Sequence, residues 1–428
     1  MIFNGDFIIL GYGSLGPNTV YELKRAFPSS NVKVISDTKT SQEFNADDVI
    51  YVQHFLTELN YQQVLYDNVR QGDFVINLTV DVCCADIISW CQTHNVLYID
   101  TAIYEWLKES VDYTSITNYS MRKRVLSQVQ PSSTTAVIAH GANPGLVNHF
   151  VKHALEQIAK DLDITNYLSW SSLAKSIGLK TIQVSEVDTQ DSQYARQPGD
   201  FVNTWSVQGF INEGSQPAEL TIGTHDSYNN SLVERNDRSA YINKPGVKTK
   251  VNGWNPASGQ YVGWMITHLE SLSIGQFLSR EDYSPSVYYV YRPTSATIDS
   301  IHDFVNNSLT VVGNKVLLNE NNCTSGSDYL GVLLMGDFGI YWCGNILSCN
   351  DTYKISKYAN ATTLQVTAPL IAAIKWAILN PLEGIVEADQ IDHAFIINES
   401  SSLIGDITII KVTDWKPQGF ALHNLIVD

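Results

Sequence analysis

Over the first 150 residues the hydrophobic and polar positions keep one rhythm: a short apolar run, a turn, then a stretch of helical spacing. The apolar runs are residues 7–10, 32–36, 49–52, 74–78, 96–99 and 136–139. This alternation predicts an α/β fold in which six parallel strands are joined by crossover helices into a doubly wound sheet. Helices are expected over residues 18–26, 85–94 and 146–159, where Asn, Asp or Pro-Gly openings suit helix starts. From about residue 160 to 360 the rhythm changes. Strand-like stretches at 180–186, 201–211, 248–254 and 287–291 alternate with Gly, Pro, Asn and Asp, and the segment is rich in Trp and Tyr. That predicts a second, α+β domain built on a mixed or antiparallel sheet, with a hairpin at 329–335 and 339–343. The expected division is residues 1–155 and 156–428. A helical segment at 362–379 is expected to pack back on the first domain.

The sharpest local pattern is Gly11-Tyr12-Gly13-Ser14-Leu15-Gly16, which follows the first strand and opens the first helix, with Asp37 ending the next strand. In a dinucleotide fold the first glycine permits the tight turn, the second lets backbone N–H groups reach a pyrophosphate, and the third allows close helix-to-strand packing. Asp37 is placed to bond ribose hydroxyls and to repel a 2′-phosphate, which favours NAD over NADP; Lys39 nearby tempers that preference. Ligands of open parallel sheets lie outside the carboxyl ends of the strands. Asn77, Thr79 and Asp81 after the fourth strand, Asp100 and Thr101 after the fifth, and Asn143-Pro144 after the sixth are therefore candidate cofactor neighbours. Asn143 serves either to orient a nicotinamide or amine, or as a turn and capping residue. Asp81 serves equally well as a helix cap.

Charge narrows the partners. The 428 residues carry 27 Lys+Arg against 44 Asp+Glu, a formal charge of −17, on a chain that is 44% hydrophobic. A phosphate backbone would be repelled, and the one basic run, Arg122-Lys123-Arg124, reads as a solvated helix face, so no nucleic acid is expected. No run of 18 apolar residues and no basic leader is seen, so no membrane span or signal peptide is expected. Six cysteines without CxxC or zinc spacing read as free thiols of a reducing cytoplasm. His149 and His153 stand four apart without an HExxH register, so no metal site is expected. No GxSxG elbow points to hydrolysis.

In the second domain Glu186 and Asp188 share one face if their segment is a strand. Trp205 and Glu213 do so along another extended stretch, and His268 and Glu270 along a third. Taken singly, Trp205 reads as core and the glutamates as solvated strand residues. Their meaning depends on convergence, which spacing does not establish.

Several stretches together resemble the bacterial-type homospermidine synthases, relatives of the saccharopine-dehydrogenase-like reductases. They are GYGSLG at 11–16, NLTVD at 77–81, YIDT at 98–101, HGANPGLV at 140–147, EVDTQ at 186–190, NTWSVQGF with QPAEL between 203 and 220, THLESLSI at 267–274, GVLLMG at 331–336 and GIVEAD at 384–389. The resemblance implies a redox-neutral condensation of two putrescines to homospermidine and ammonia, with NAD recycled, spermidine as an alternative donor, and a homodimer. It implies that Trp205 is the pocket tryptophan facing the iminium, that Glu186 and Glu213 bind the diamine with His268 as a polar, proton-transferring neighbour, and that Asn143 lies at the cofactor edge. Glu105 is the counterpart of a family glutamate that this chain shifts by one place, at Tyr104-Glu105-Trp106. The rivals are a carboxynorspermidine or saccharopine-type dehydrogenase and a non-catalytic NAD-binding polyamine sensor.

Overall fold

The computed structural model describes residues 1–37, 49–80, 82–106, 116–130, 133–226, 232–318 and 323–427. Asp81 and Lys39 lie outside them. The described chain divides into two compact units. The first comprises residues 1–146, 356–359 and 363–403; the second comprises 147–355, 360–362 and 404–428.

The first unit is built on a parallel sheet of β1 (Phe7–Leu10), β2 (Val32–Ser36), β3 (Val49–Gln53), β4 (Phe74–Asn77), β5 (Leu97–Asp100) and β6 (Ala136–Ile138), in the order β6-β5-β4-β1-β2-β3. A seventh strand, Ile385–Glu387, joins beside β6 from far along the chain. Sequence periodicity gives no sign of it, because three residues are too short to show a period. β1, β4 and β5 are fully buried, as continuous apolar runs covered on both faces must be. The chain order reverses between β1 and β4, which opens a crevice at their carboxyl ends. Helix α1 (Gly16–Ala26) starts there.

The run Arg122-Lys123-Arg124 is a solvated face only in part: Lys123 and Arg124 are exposed, but Arg122 is not. On helix Asn118–Leu126, Arg122 forks onto both oxygens of Glu387 at 2.6 Å, with both side chains largely buried. Arg124 grips Asp86 at 2.8 Å and also Glu105. The reason is geometric: a guanidinium matches a carboxylate with two parallel bonds, and the seventh strand brings Glu387 within reach.

The helix Ala361–Leu379 is long and apolar enough to cross a membrane, but most of it is buried within the fold. Its Thr362, Thr363, Gln365 and Thr367 interrupt any continuous apolar run.

The second unit carries the mixed sheet. Its central strand β7 (Leu179–Asp188) runs parallel to Ser286–Arg292 and antiparallel to Ser327–Gly336, which continues through the tight turn Asp337-Phe338 into Gly339–Ser348. One face of β7 meets an apolar core that includes Val187, Tyr288, Val290, Leu333, Met335 and Trp342. Each such fully buried side chain contributes ~1.5–3 kcal/mol. The opposite face carries Glu186 and Asp188. Period-two alternation thus separates what holds the sheet from what it displays.

Residues 201–211 are not one strand. Phe201–Asn203 is extended, then Ser206 caps a helix, Val207–Ser215, by accepting a hydrogen bond from Gly209 N at 3.1 Å. Local capping outweighs the strand-like composition here. His268 and Glu270 likewise do not share a strand: Gly259–Ile266 ends before them and Glu270 begins the next helix, Glu270–Leu278.

Candidate active site

At the carboxyl end of β1 the three glycines have different physical reasons. Gly11 has φ +86°, and a Cβ there would lie 3.1 Å from the Leu78 backbone and 3.0 Å from Thr79 Cγ2. At Gly16 it would lie 2.7 Å from the Tyr12 ring. Both positions are closed by packing. Gly13 is different: nothing lies within 4 Å of the place its Cβ would take, so packing does not require a glycine there and the backbone is open to approach. Ser14 and Leu15 carry the chain into α1, whose N-terminus has no side-chain cap and no acidic residue in its first turn. Pro17 has no N–H and Gly16 N already donates to Gly13 O at 3.3 Å, so it is chiefly the helix dipole that leaves a partial positive charge for an anion. Asp37, exposed, follows β2 directly. Open glycine, uncapped helix and exposed acid fit the pyrophosphate and ribose of a dinucleotide.

The neighbouring strand ends are ordered from within. Asn77 Nδ2 donates to the Tyr98 hydroxyl at 3.1 Å, and that hydroxyl donates to Asp100 Oδ2 at 2.7 Å. Asp100 Oδ1 accepts from Ala139 N at 2.6 Å. Asp100 is wholly buried. Burial pushes its carboxyl up to about 7, with the Tyr98 and Ala139 donors pulling the other way. Thr101 follows at the surface of this strand end, half-buried. Asn143 and Pro144 sit in a turn closed by Gly141 N donating to Pro144 O at 2.8 Å, and a Cβ on Gly145 would come 2.1 Å from Gly141 O. Glu105 is engaged by Arg124, so its charge is neutralised within the first unit.

In the second unit, Glu186, Trp205, Glu213 and His268 come from four separate segments and join one connected set. The Tyr289 hydroxyl donates to Glu186 Oε2 at 2.8 Å. Tyr291, two residues on and on the same face, lies parallel to Tyr289 with ring centres 6.0 Å apart, and Trp205 Nε1 donates to its hydroxyl at 3.4 Å. Trp205 is half-buried and meets Phe210 edge-on at 5.8 Å. On the other side the His268 ring stacks on Tyr289 at 4.0 Å. Its Nε2 faces Glu213 Oε2 at 3.1 Å and its Nδ1 faces Glu270 Oε1 at 3.3 Å. Ionised carboxylates only accept, so with both glutamates charged each ring nitrogen of His268 carries a proton, the imidazolium form. Burial alone would lower its pKa, but Glu270 and Glu213 together hold it well above the usual histidine range.

Behind Glu186 lie two further acids. Asp328 is the register partner of Asp188 across the antiparallel pair. Burial raises both, and Asp328 is raised further by the charges of Glu186 and Asp188. Asp188 is held by Thr204 Oγ1 at 2.6 Å and by Gln190 N at 2.8 Å. The face thus gathers buried carboxyl groups among aromatic rings, and burial disfavours their charged forms unless positive charge meets them. Such a surface is stable mainly with cations upon it.

Sequence reasoning missed Tyr289, Tyr291 and Asp328. The alternating tyrosines of Tyr289-Val290-Tyr291 were a usable signal once the strand was assigned; Asp328, at a strand start, offered none.

Known proteins share this construction. Residues 7–138 match the saccharopine dehydrogenase NADP binding domain family, and residues 141–401 match the saccharopine dehydrogenase C-terminal domain family. The homospermidine synthase of Mesorhizobium japonicum is 34% identical over 96% of this chain and 91% of its own length. That of Blastochloris viridis is 35% identical over 97% and 92%. The crystal structure of the Legionella pneumophila homospermidine synthase in complex with NAD superimposes with a TM-score of 0.93 at 33% identity, covering 100% of this chain and 99% of that one. Saccharopine dehydrogenase (L-Glu forming) from Saccharomyces cerevisiae shares the fold at a TM-score of 0.58 and 10% identity, over 95% of this chain and 100% of its own. A doubly wound nucleotide unit and an anionic, aromatic sheet face thus meet relatives alike along almost their whole length, and the chain belongs to the homospermidine synthase family.

Proposed function

We propose that the protein is an NAD-dependent homospermidine synthase that joins two putrescines into homospermidine and ammonia, with spermidine as an alternative aminobutyl donor. The observation that carries this reading is the face of β7: Glu186, Glu213 and Trp205 belong to one set, linked through Tyr289, Tyr291 and His268. NAD, held by the backbone at Gly13, Ser14 and Leu15 in the turn that Gly11 and Gly16 shape, and by Asp37, would supply a two-electron acceptor that becomes the donor at the end, so that no net oxidation occurs.

The chain's own residues account for the rest. Glu186, held by Tyr289, pairs with one ammonium of the diamine, and Glu213 with another. The indole face of Trp205 attracts the substrate iminium by ~1–2 kcal/mol once water is excluded. An amine must be neutral before it attacks, so a proton acceptor is needed within the set. Glu213 is that acceptor, and the His268 imidazolium beside it moderates its charge and shares the proton. Asn143 stands at the cofactor edge. Glu105, already paired with Arg124, takes no part in holding the diamine.

An amino-acid-binding reductase would need Arg or Lys to receive a carboxylate. Here the partners of Glu213 and Asp188 are His268, Thr204 and Gln190, a set suited to cations. We further propose a homodimer, as the family resemblance implies, to be checked by light scattering. We also propose a reducing, cytoplasmic location, supported by six buried free cysteines.

The purified protein incubated with putrescine and a trace of NAD should yield homospermidine and ammonia in equal amounts with no build-up of NADH. Stoichiometric NADH would mark a dehydrogenase instead, and no turnover at all would favour a polyamine sensor.

A further inference from the structure

The strand ends of the first sheet hold a hydrogen-bond chain whose direction is fixed atom by atom. The backbone N–H of Thr79 can only donate, and it lies 3.1 Å from the Asn77 side chain, so the atom facing it is the amide oxygen Oδ1. The other end of that amide, Nδ2, must then donate to the Tyr98 hydroxyl. With its oxygen accepting, Tyr98 sends its own proton to Asp100, whose second oxygen is occupied by the Ala139 N–H. At the near end the Thr79 hydroxyl lies 2.5 Å from the same Oδ1, which only accepts, so Thr79 has to donate there. Its proton is spent inward. The hydroxyl oxygen of Thr79, half-buried beside Gly11, has only lone pairs left to offer outward.

Position tells what meets it. Asp37 on β2 suits the adenosine half of a dinucleotide, and the uncapped start of α1 suits the pyrophosphate. Thr79 follows β4, across the reversal point of the sheet from β2, on the side left for the nicotinamide half. The carboxamide of nicotinamide has an N–H donor, which an acceptor-only hydroxyl matches.

We propose that Thr79 selects the nicotinamide carboxamide by accepting its N–H, and that Asn77, Tyr98 and Asp100 are positioning residues that fix the hydroxyl in this one polarity. The inference rests on the NAD reading above. Tyr98 and Asp100 are both buried, so they act through Asn77 and Thr79 rather than by contact.

The test needs no turnover. Calorimetry would compare the affinities of NAD, of its 3-acetylpyridine analogue, in which a methyl replaces the carboxamide nitrogen, and of ADP-ribose, which lacks the ring altogether. Wild type should prefer NAD to the analogue by about tenfold, the size of one well-placed hydrogen bond. Thr79→Val should bring that ratio close to one, and Thr79→Ser should keep it. Tyr98→Phe should lower the ratio by roughly threefold by loosening Asn77. ADP-ribose should bind all four proteins alike, which shows that the fold is intact. A preference that survives Thr79→Val overturns the proposal, as does a wild type that binds NAD without preference. A wild type that binds neither dinucleotide overturns the NAD reading as well.

Discussion

The carboxyl end of the first sheet and the displayed face of the second unit solve recognition in opposite ways. At the first, the proposed cofactor site is mostly backbone, an open glycine and an uncapped helix, with a few side chains whose polarity is set from behind. The glycine turn and the helix start lie within six positions of one another, and the other contributors follow at successive strand ends. On the second, the proposed cation site is made of side chains, Glu186, Trp205, Glu213 and His268 with Asp328 behind, spread over more than a hundred positions and joined by strand register, ring stacking and hydrogen bonds. Backbone recognition tolerates changes of side chain but not of Cβ. Side-chain recognition tolerates nothing that alters charge.

That contrast can be broken by exchange of single groups. Glu186→Gln keeps an acceptor for Tyr289 but removes the charge, so turnover of putrescine should fall by about 10²–10³-fold, the equivalent of losing a desolvated charge pair of ~3–4 kcal/mol. NAD affinity should not change; if both fall together, the glutamate holds the fold and not the diamine. Gly13→Val should do the reverse. Space for the added side chain exists in the protein, so the thermal midpoint should stay in place while NAD affinity drops by roughly a hundredfold through blocked backbone contacts. An unchanged affinity would remove the pyrophosphate from that turn. Trp205→Ala should slow turnover by about thirtyfold, as ~2 kcal/mol of cation–π attraction implies, with little effect on NAD binding.

The smallest effect concerns His268 and pH. Its pKa is raised in the folded protein, so its contribution to stability is fully present below the unfolded value of about 6.5 and is lost as pH rises through the folded value. His268→Gln should therefore lower the thermal midpoint by roughly 5 °C at pH 6, and the gap to wild type should close in strongly alkaline buffer. A gap independent of pH would mean that no cation sits between Glu213 and Glu270.

The same contrast explains what the sequence made legible. The first sheet and its glycine turn are local patterns, so residues 11–16 and Asp37 were readable from spacing alone. The Glu186 and Asp188 pair was readable too, because β7 is a true strand. Trp205 with Glu213 was not: Ser206 starts a helix between them, and their association runs through Tyr289, Tyr291 and His268, which no spacing relates. The three-residue strand Ile385–Glu387, and with it the burial of Arg122 against Glu387, was hidden for the same reason: both depend on partners far along the chain. Family resemblance filled part of this gap by naming Trp205, Glu186 and Glu213 together, without saying what connects them.

In the proposed reaction one hydride leaves the substrate and returns to it. Putrescine carrying two deuteriums on each carbon next to nitrogen tests this directly, with trace unlabelled NAD and mass analysis of the product. Homospermidine should retain all of the deuterium, because the abstracted atom is given back to the same carbon skeleton. Product that has exchanged a deuterium for hydrogen at the newly formed C–N bond, or labelled NADH accumulating in solution, would contradict it.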